Sequence, residues 1–141
     1  MKIKTLFLAA IFAFCANIIN AQSLEHEKWF PVLISAHGTI DHYGVKANCK
    51  ITKCNGEDVM LMELVNTNAY AVKCEWLHSP IDNEGKQHYV DALQTIELKA
   101  NETKTGQCGE TVQLIIKLSE YKIKAEAVSG YYGSNFNVIK K

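Results

Sequence analysis

The chain has 141 residues, with 15 Lys and Arg balanced by 15 Asp and Glu. Every permanent cation is a lysine; without Arg the chain lacks the planar fork that suits phosphate and guanine, which argues against nucleic-acid recognition. Charges of both signs alternate along the sequence, so no lysine cluster is dense enough to seek an anionic membrane surface.

At the N-terminus, Lys2 and Lys4 precede an apolar stretch from Thr5 to Ile19, and Asn20-Ala21 ends it with a small residue before Gln22. This layout predicts a secretory signal peptide over residues 1–21, too short and wrongly flanked for a membrane span. Cleavage after Ala21 leaves one domain, 22–141, with 13 Lys against 15 acidic residues. Cys15 departs with the signal. Phe14 stands before it, where a lipoprotein cut needs a small residue, so the expected product is secreted or periplasmic rather than lipid-anchored. Export brings the chain to a compartment where thiols pair.

Past the signal, Leu24 to Trp29 suits a short helical turn. From there the dominant period is two. Val45, Ala47, Cys49 and Ile51 share one face of a strand whose other face carries Lys46, Asn48, Lys50 and Thr52. Val59 to Val65 is apolar on both faces except at Glu63, as a central, covered strand requires. Val72, Cys74 and Trp76 alternate within Tyr70 to His78; Ile96 and Leu98 follow. Val112, Leu114, Ile116 and Leu118 then make one set, and Tyr121, Ile123, Ala125 and Ala127 another. Turn signals separate the runs at Asn55-Gly56, Asn66 to Asn68, Asp82 to Gly85, Asn101 to Gly109 and Ser129-Gly130. This predicts an all-β fold: a single antiparallel immunoglobulin-like β-sandwich of about seven strands.

Four cysteines outside the signal imply two bridges with three possible connectivities. Cys49 and Cys74 lie mid-strand on apolar faces, whereas Cys54 and Cys108 lie at turns that share one end of such a sandwich. The expected pairs are therefore Cys49–Cys74 across the core and Cys54–Cys108 clipping one end.

The signal, Cys-Asn-Gly-Glu-Asp at 54–58 with the strand after it, Val-Lys-Cys-Glu-Trp at 72–76 and Thr-Gly-Gln-Cys at 105–108 resemble small uncharacterised secreted proteins of Bacteroidetes-type bacteria. The resemblance implies an immunoglobulin-like fold and a bacterial envelope or extracellular setting. It implies no activity, ligand or site residue.

Candidate chemistry is sparse. His37, Asp41 and His42 are the best metal or hydrolase candidates, but the helical spacing of a His-Glu-x-x-His site is absent and Gly38 points to a turn. No Gly-x-Ser-x-Gly elbow is present. The acid pairs Glu57/Asp58 and Asp82/Glu84 sit at turns, and Asp82 to Gly85 lacks the ligand periodicity of a calcium loop. Asn101-Glu102-Thr103 matches a glycosylation sequon. Tyr131, Tyr132 and Phe136, set among Gly, Ser and Asn, could offer ring faces to a glycan or a protein, or close the sandwich edge as a last strand over Asn135 to Ile139.

The expectation is a non-enzymatic exported protein, without metal or cofactor, that binds a protein or envelope component or serves structurally at the cell surface. A carbohydrate-binding module is the alternative, and a small exported hydrolase stands behind both.

Overall fold

The computed structural model describes residues 24–34, 39–110 and 112–141. The expected signal peptide, with Phe14 and Cys15, lies outside the described residues, as does His37.

The first long strands form a hairpin, β3 (Val45–Cys54) with β4 (Glu57–Asn66), in continuous register from Val45↔Asn66 to Cys54↔Glu57. Asn55 and Gly56 close it with φ of 52° and 79°. Two left-handed residues give the turn whose twist matches that of the flanking strands, and Asn-Gly is the pair best able to supply them. Short strands β1 (Phe30–Pro31) and β2 (Asp41–His42) both pair with β3. On the far side of β4 lie β7 (Thr103–Thr105) and β8 (Ile115–Lys117). β4 is thus central, and Val59 to Met62 are all buried, as its two-faced apolar run requires.

The second sheet has the order β6 (Gln94–Leu98), β5 (Val72–Asp82), β9 (Val128–Lys140). All pairings between these named strands are antiparallel. Pro80 lies within β5 without breaking the ladder to β9. Its carbonyl accepts from His88 N–H on the opposite side, and both backbone groups of a strand residue point the same way, so its missing N–H takes nothing from β9.

The two sheets enclose one hydrophobic core. β3 contributes Val45, Ala47, Cys49 and Ile51, β4 contributes Met60, Met62 and Leu64, and β5 contributes Val72, Cys74 and Trp76. Each large apolar side chain fully buried there stabilises the fold by roughly 1.5–3 kcal/mol.

Several expectations need correction. Tyr121 to Ala127 is not a strand: Tyr121, Ile123 and Ala125 alternate into the core, but the backbone turns, with Lys122 at φ 54° and a 3-10 turn at Ala125–Ala127. Its N–H groups go to local carbonyls, such as Ile123 to Leu118. Val112–Leu114 is likewise a 3-10 turn, so only Ile115–Lys117 joins the ladder, and Val112 is 79% exposed. Ser129-Gly130 is no turn but lies inside β9, which is far longer than Asn135 to Ile139. Near the N-terminal end of the described chain, Leu24 to Trp29 makes a turn at His26-Glu27 and no helix.

Candidate functional site

Alternation along β5 carries Cys74, Trp76 and His78 onto the buried face. His78 is absent from the candidates that motif and spacing single out, although its parity with Cys74 and Trp76 marks it as inward. It is 2% exposed. Its Nε2 lies 3.0 Å from the Gln113 carbonyl, which only accepts, so Nε2 carries the proton. Nδ1 then accepts from the Tyr131 hydroxyl at 2.6 Å and from Trp76 Nε1–H at 3.2 Å. The Tyr131 oxygen also lies 3.9 Å from the Met62 sulfur of the facing sheet.

Burial pushes the His78 pKa down to about 4, although the Gln113 carbonyl favours the charged form. Burial likewise raises Tyr131 well above the usual phenol range, with the nearby Cys49 thiol adding to it. The cluster is therefore neutral near pH 7. A neutral imidazole with both nitrogens engaged has no free lone pair for a substrate. What this arrangement does chemically is tie β5 and β9 to each other and to the 3-10 turn before β8, because breaking any one bond strands a buried polar atom.

The cysteines follow the expected pattern only in part. Cys54 and Cys108 are bonded, with Cα atoms 5.4 Å apart. The expected Cys49–Cys74 bridge is not formed, and both residues are free, buried thiols. Parity turns both sulfurs inward but does not fix their level along the strands: Cys49 is close enough to Tyr131 to raise its pKa, whereas Cys74 pairs across β9 with Val138, at the opposite end of that strand. Burial raises both thiols, Cys74 to about 12, so neither is a ready thiolate nucleophile.

The aromatic candidates are not displayed. Tyr131 is 3% and Phe136 8% exposed, and Phe136 stacks on Trp76 with centroids 5.6 Å apart. A ring facing the core offers no platform to a sugar, which corrects the expectation for these two; Tyr132 is half-buried. Asp41 accepts from Gly44 N–H in its turn, and His42 packs edge-on to Phe136. Asp82 caps its own hairpin, accepting from Glu84 and Lys86 N–H, with His88 Nε2 2.7 Å from its second oxygen. Of the remaining acid candidates, Glu57 accepts from the Ser119 hydroxyl and Asp58 pairs with Lys53. Among the described residues, no group of three or more His, Cys, Asp or Glu is placed to hold a metal.

Among the described residues, two adjoining clefts with exposed apolar residues lie at the end clipped by Cys54–Cys108, and a further cleft is lined by Phe30, Leu33 and Ile81. The first two meet at Glu120. One, of about 440 Å³, runs beside the disulfide and is lined by Cys54, Glu57, Val112 and Lys117 among others. The other, of about 560 Å³, lies between His88–Val90 and Tyr121–Lys122. Around them Tyr89 is 69% exposed, and Val90 and Val112 also stand out into solvent. The charged groups here, Lys86, Glu110, Lys117, Glu120 and Lys122, are exposed and of both signs.

No protein-family model matches the chain, and no curated protein or solved structure resembles it significantly. Among the described residues no helix is long and apolar enough to cross a membrane.

Proposed function

We propose that this protein is an exported, non-enzymatic module of immunoglobulin-like type that binds a protein or other envelope component through its disulfide-clipped end. The observation that carries the binding assignment is the set of exposed apolar side chains, Tyr89, Val90 and Val112, lining the paired clefts. Exposed apolar groups beside clefts, rimmed by charges of both signs, suit a protein partner better than a small polar substrate.

Strand order supports the immunoglobulin-like assignment. β3 beside β4, β4 beside β7 and β8, and β5 beside β9 match the neighbours A–B, B–E and C–F of that fold, with Trp76 at the position of its buried Trp on strand C. The chain departs from it in pairing β6 with β5 and, among the described residues, in having no strand after β9. The disulfide and the N-terminal sequence support export.

Affinity capture of envelope and extracellular material on the purified protein tests this reading, with a Tyr89→Ser, Val90→Ser, Val112→Ser variant in parallel. A partner held by the native protein and lost by the folded variant is the expected result. A partner held equally by both would refute the assignment of this end.

A further inference from the structure

We propose that the free edge of β9, from Phe136 to Lys140, pairs antiparallel with the same segment of a second copy of this chain, joining two three-stranded sheets into one. This goes beyond the partner assigned to the clipped end and uses a different surface.

The backbone fixes which groups are available. Lys141 N–H donates to the Ala71 carbonyl of the segment leading into β5. In an antiparallel ladder a residue's N–H and C=O share one side, and the sides alternate. Asn137 and Ile139 therefore bond to β5, and Phe136, Val138 and Lys140 direct their backbone groups away from it. Further down, the outer side of β9 is occupied: Leu24 N–H reaches Val128 O, and Gly133 N–H reaches Leu33 O. Above Asn135, whose φ of 52° marks a bulge opposite Trp76, no backbone group among the described residues meets that side.

The other edges carry protection that β9 lacks. β6 places Glu97 on its edge, and Lys104 Nζ covers the Glu97 carbonyl at 2.8 Å. β1 contains Pro31, and β1 and β2 are two residues each. The edge formed by β7 and β8 is interrupted between them and carries Lys104 and Lys117. The outer segment of β9 has its one charge at its last residue, Lys140, whose side chain is drawn over the Tyr70 ring. Charges and prolines within edges normally prevent strand addition, so an edge uncharged from Phe136 to Ile139 is open to it.

Charge favours a second copy. Pairing centred on Val138 engages the outward groups of all three residues. It sets Phe136 of one copy against Lys140 of the other, and Asn137 against Ile139, so no like charges meet. Lys140 already lies over the Tyr70 ring, 4.4 Å from its centroid, and Lys141 pairs with Glu97 of its own chain.

Sedimentation of the purified protein, with amide hydrogen exchange, tests the proposal. A mass that doubles with concentration is expected. Exchange at Phe136, Val138 and Lys140 should slow by roughly tenfold or more in the dimer, while Asn137 and Ile139 stay protected at every concentration. Combining Asn137→Lys with Ile139→Lys alters two exposed positions that face each other across the pairing, and should return the folded protein to monomer. A native monomer at all concentrations would overturn the proposal. So would a dimer indifferent to that double substitution, or one protected elsewhere.

Discussion

The Tyr131 hydroxyl donates to His78 Nδ1 at 2.6 Å, across neighbouring strands and inside the core. Because Nε2–H is committed to Gln113, Nδ1 is the only place a second proton could go, and adding it would drive out the Trp76 N–H and make the Tyr131 hydroxyl turn from donor to acceptor.

Stability should therefore depend on pH well above the carboxylate range. His78 sits at about 4 in the fold, against 6.5 for an ordinary imidazole. Between those values the unfolded chain takes a proton that the folded chain refuses, so stability falls as pH falls from 6.5 to 4. The full loss, roughly 3 kcal/mol, is reached below about 4. Asp82, lowered chiefly by His88 and the Lys86 N–H, adds its own loss only below its ordinary value of 3.8. Urea unfolding across the upper window measures the slope, and His78→Gln should abolish it. A native protein with flat stability from pH 7 to 4.5 would contradict the dry, neutral imidazole.

Tyr131→Phe keeps the ring in the core and removes one donor. The cost should be about 1–3 kcal/mol, since Nδ1 keeps only the longer Trp76 contact. Equilibrium unfolding of the variant at pH 7 measures it.

Much of this arrangement is legible in the sequence. The alternation from Val45 to Ile51, the two-faced run from Val59 and the Asn55-Gly56 turn all appear as the pattern demands, because local twist and burial agree there. Tyr121 to Ala127 shows the limit of the argument. Period-two burial states which side chains face inward, not whether the backbone pairs, and Lys122 in a left-handed conformation takes that segment out of the ladder. His78 was legible by parity but not by motif, since its partners are 35 and 53 residues away. The strand levels of Cys49 and Cys74 depend on sheet packing, which no local pattern encodes.

Thiol chemistry should distinguish the four cysteines of residues 22–141. In that domain the native protein should be inert to a thiol reagent, and denaturation without reductant should release Cys49 and Cys74 but not Cys54 or Cys108. Non-reducing peptide mapping should recover Cys54 joined to Cys108. Cys108→Ser should cost roughly 3–4 kcal/mol by loosening a loop that spans 54 positions. A peptide joining Cys49 to Cys74 would contradict this assignment.

Gly106→Ala is expected to be among the worst single-methyl additions in the chain. A Cβ there would meet the Leu114 carbonyl at 2.3 Å, and that backbone is held between a 3-10 turn and β8. The clash cannot be relieved by a rotamer change, so a loss of about 2 kcal/mol or more is expected. Adding the same methyl at Gly130 meets nothing closer than 3.7 Å and serves as the control in thermal unfolding.

The clip between Cys54 and Cys108 also sets how the protein answers a pull. β4, β5, β6 and β7 all lie inside its covalent loop. Tension applied at the two ends of the chain bypasses that loop and loads β3 and β9 instead. Roughly 180 Å of contour, 54 positions at about 3.4 Å each, stays locked away even after β9 has been sheared from β5. A stretched molecule would thus lengthen first through its outer segments alone, keep its central strands, and release the hidden length only on reduction.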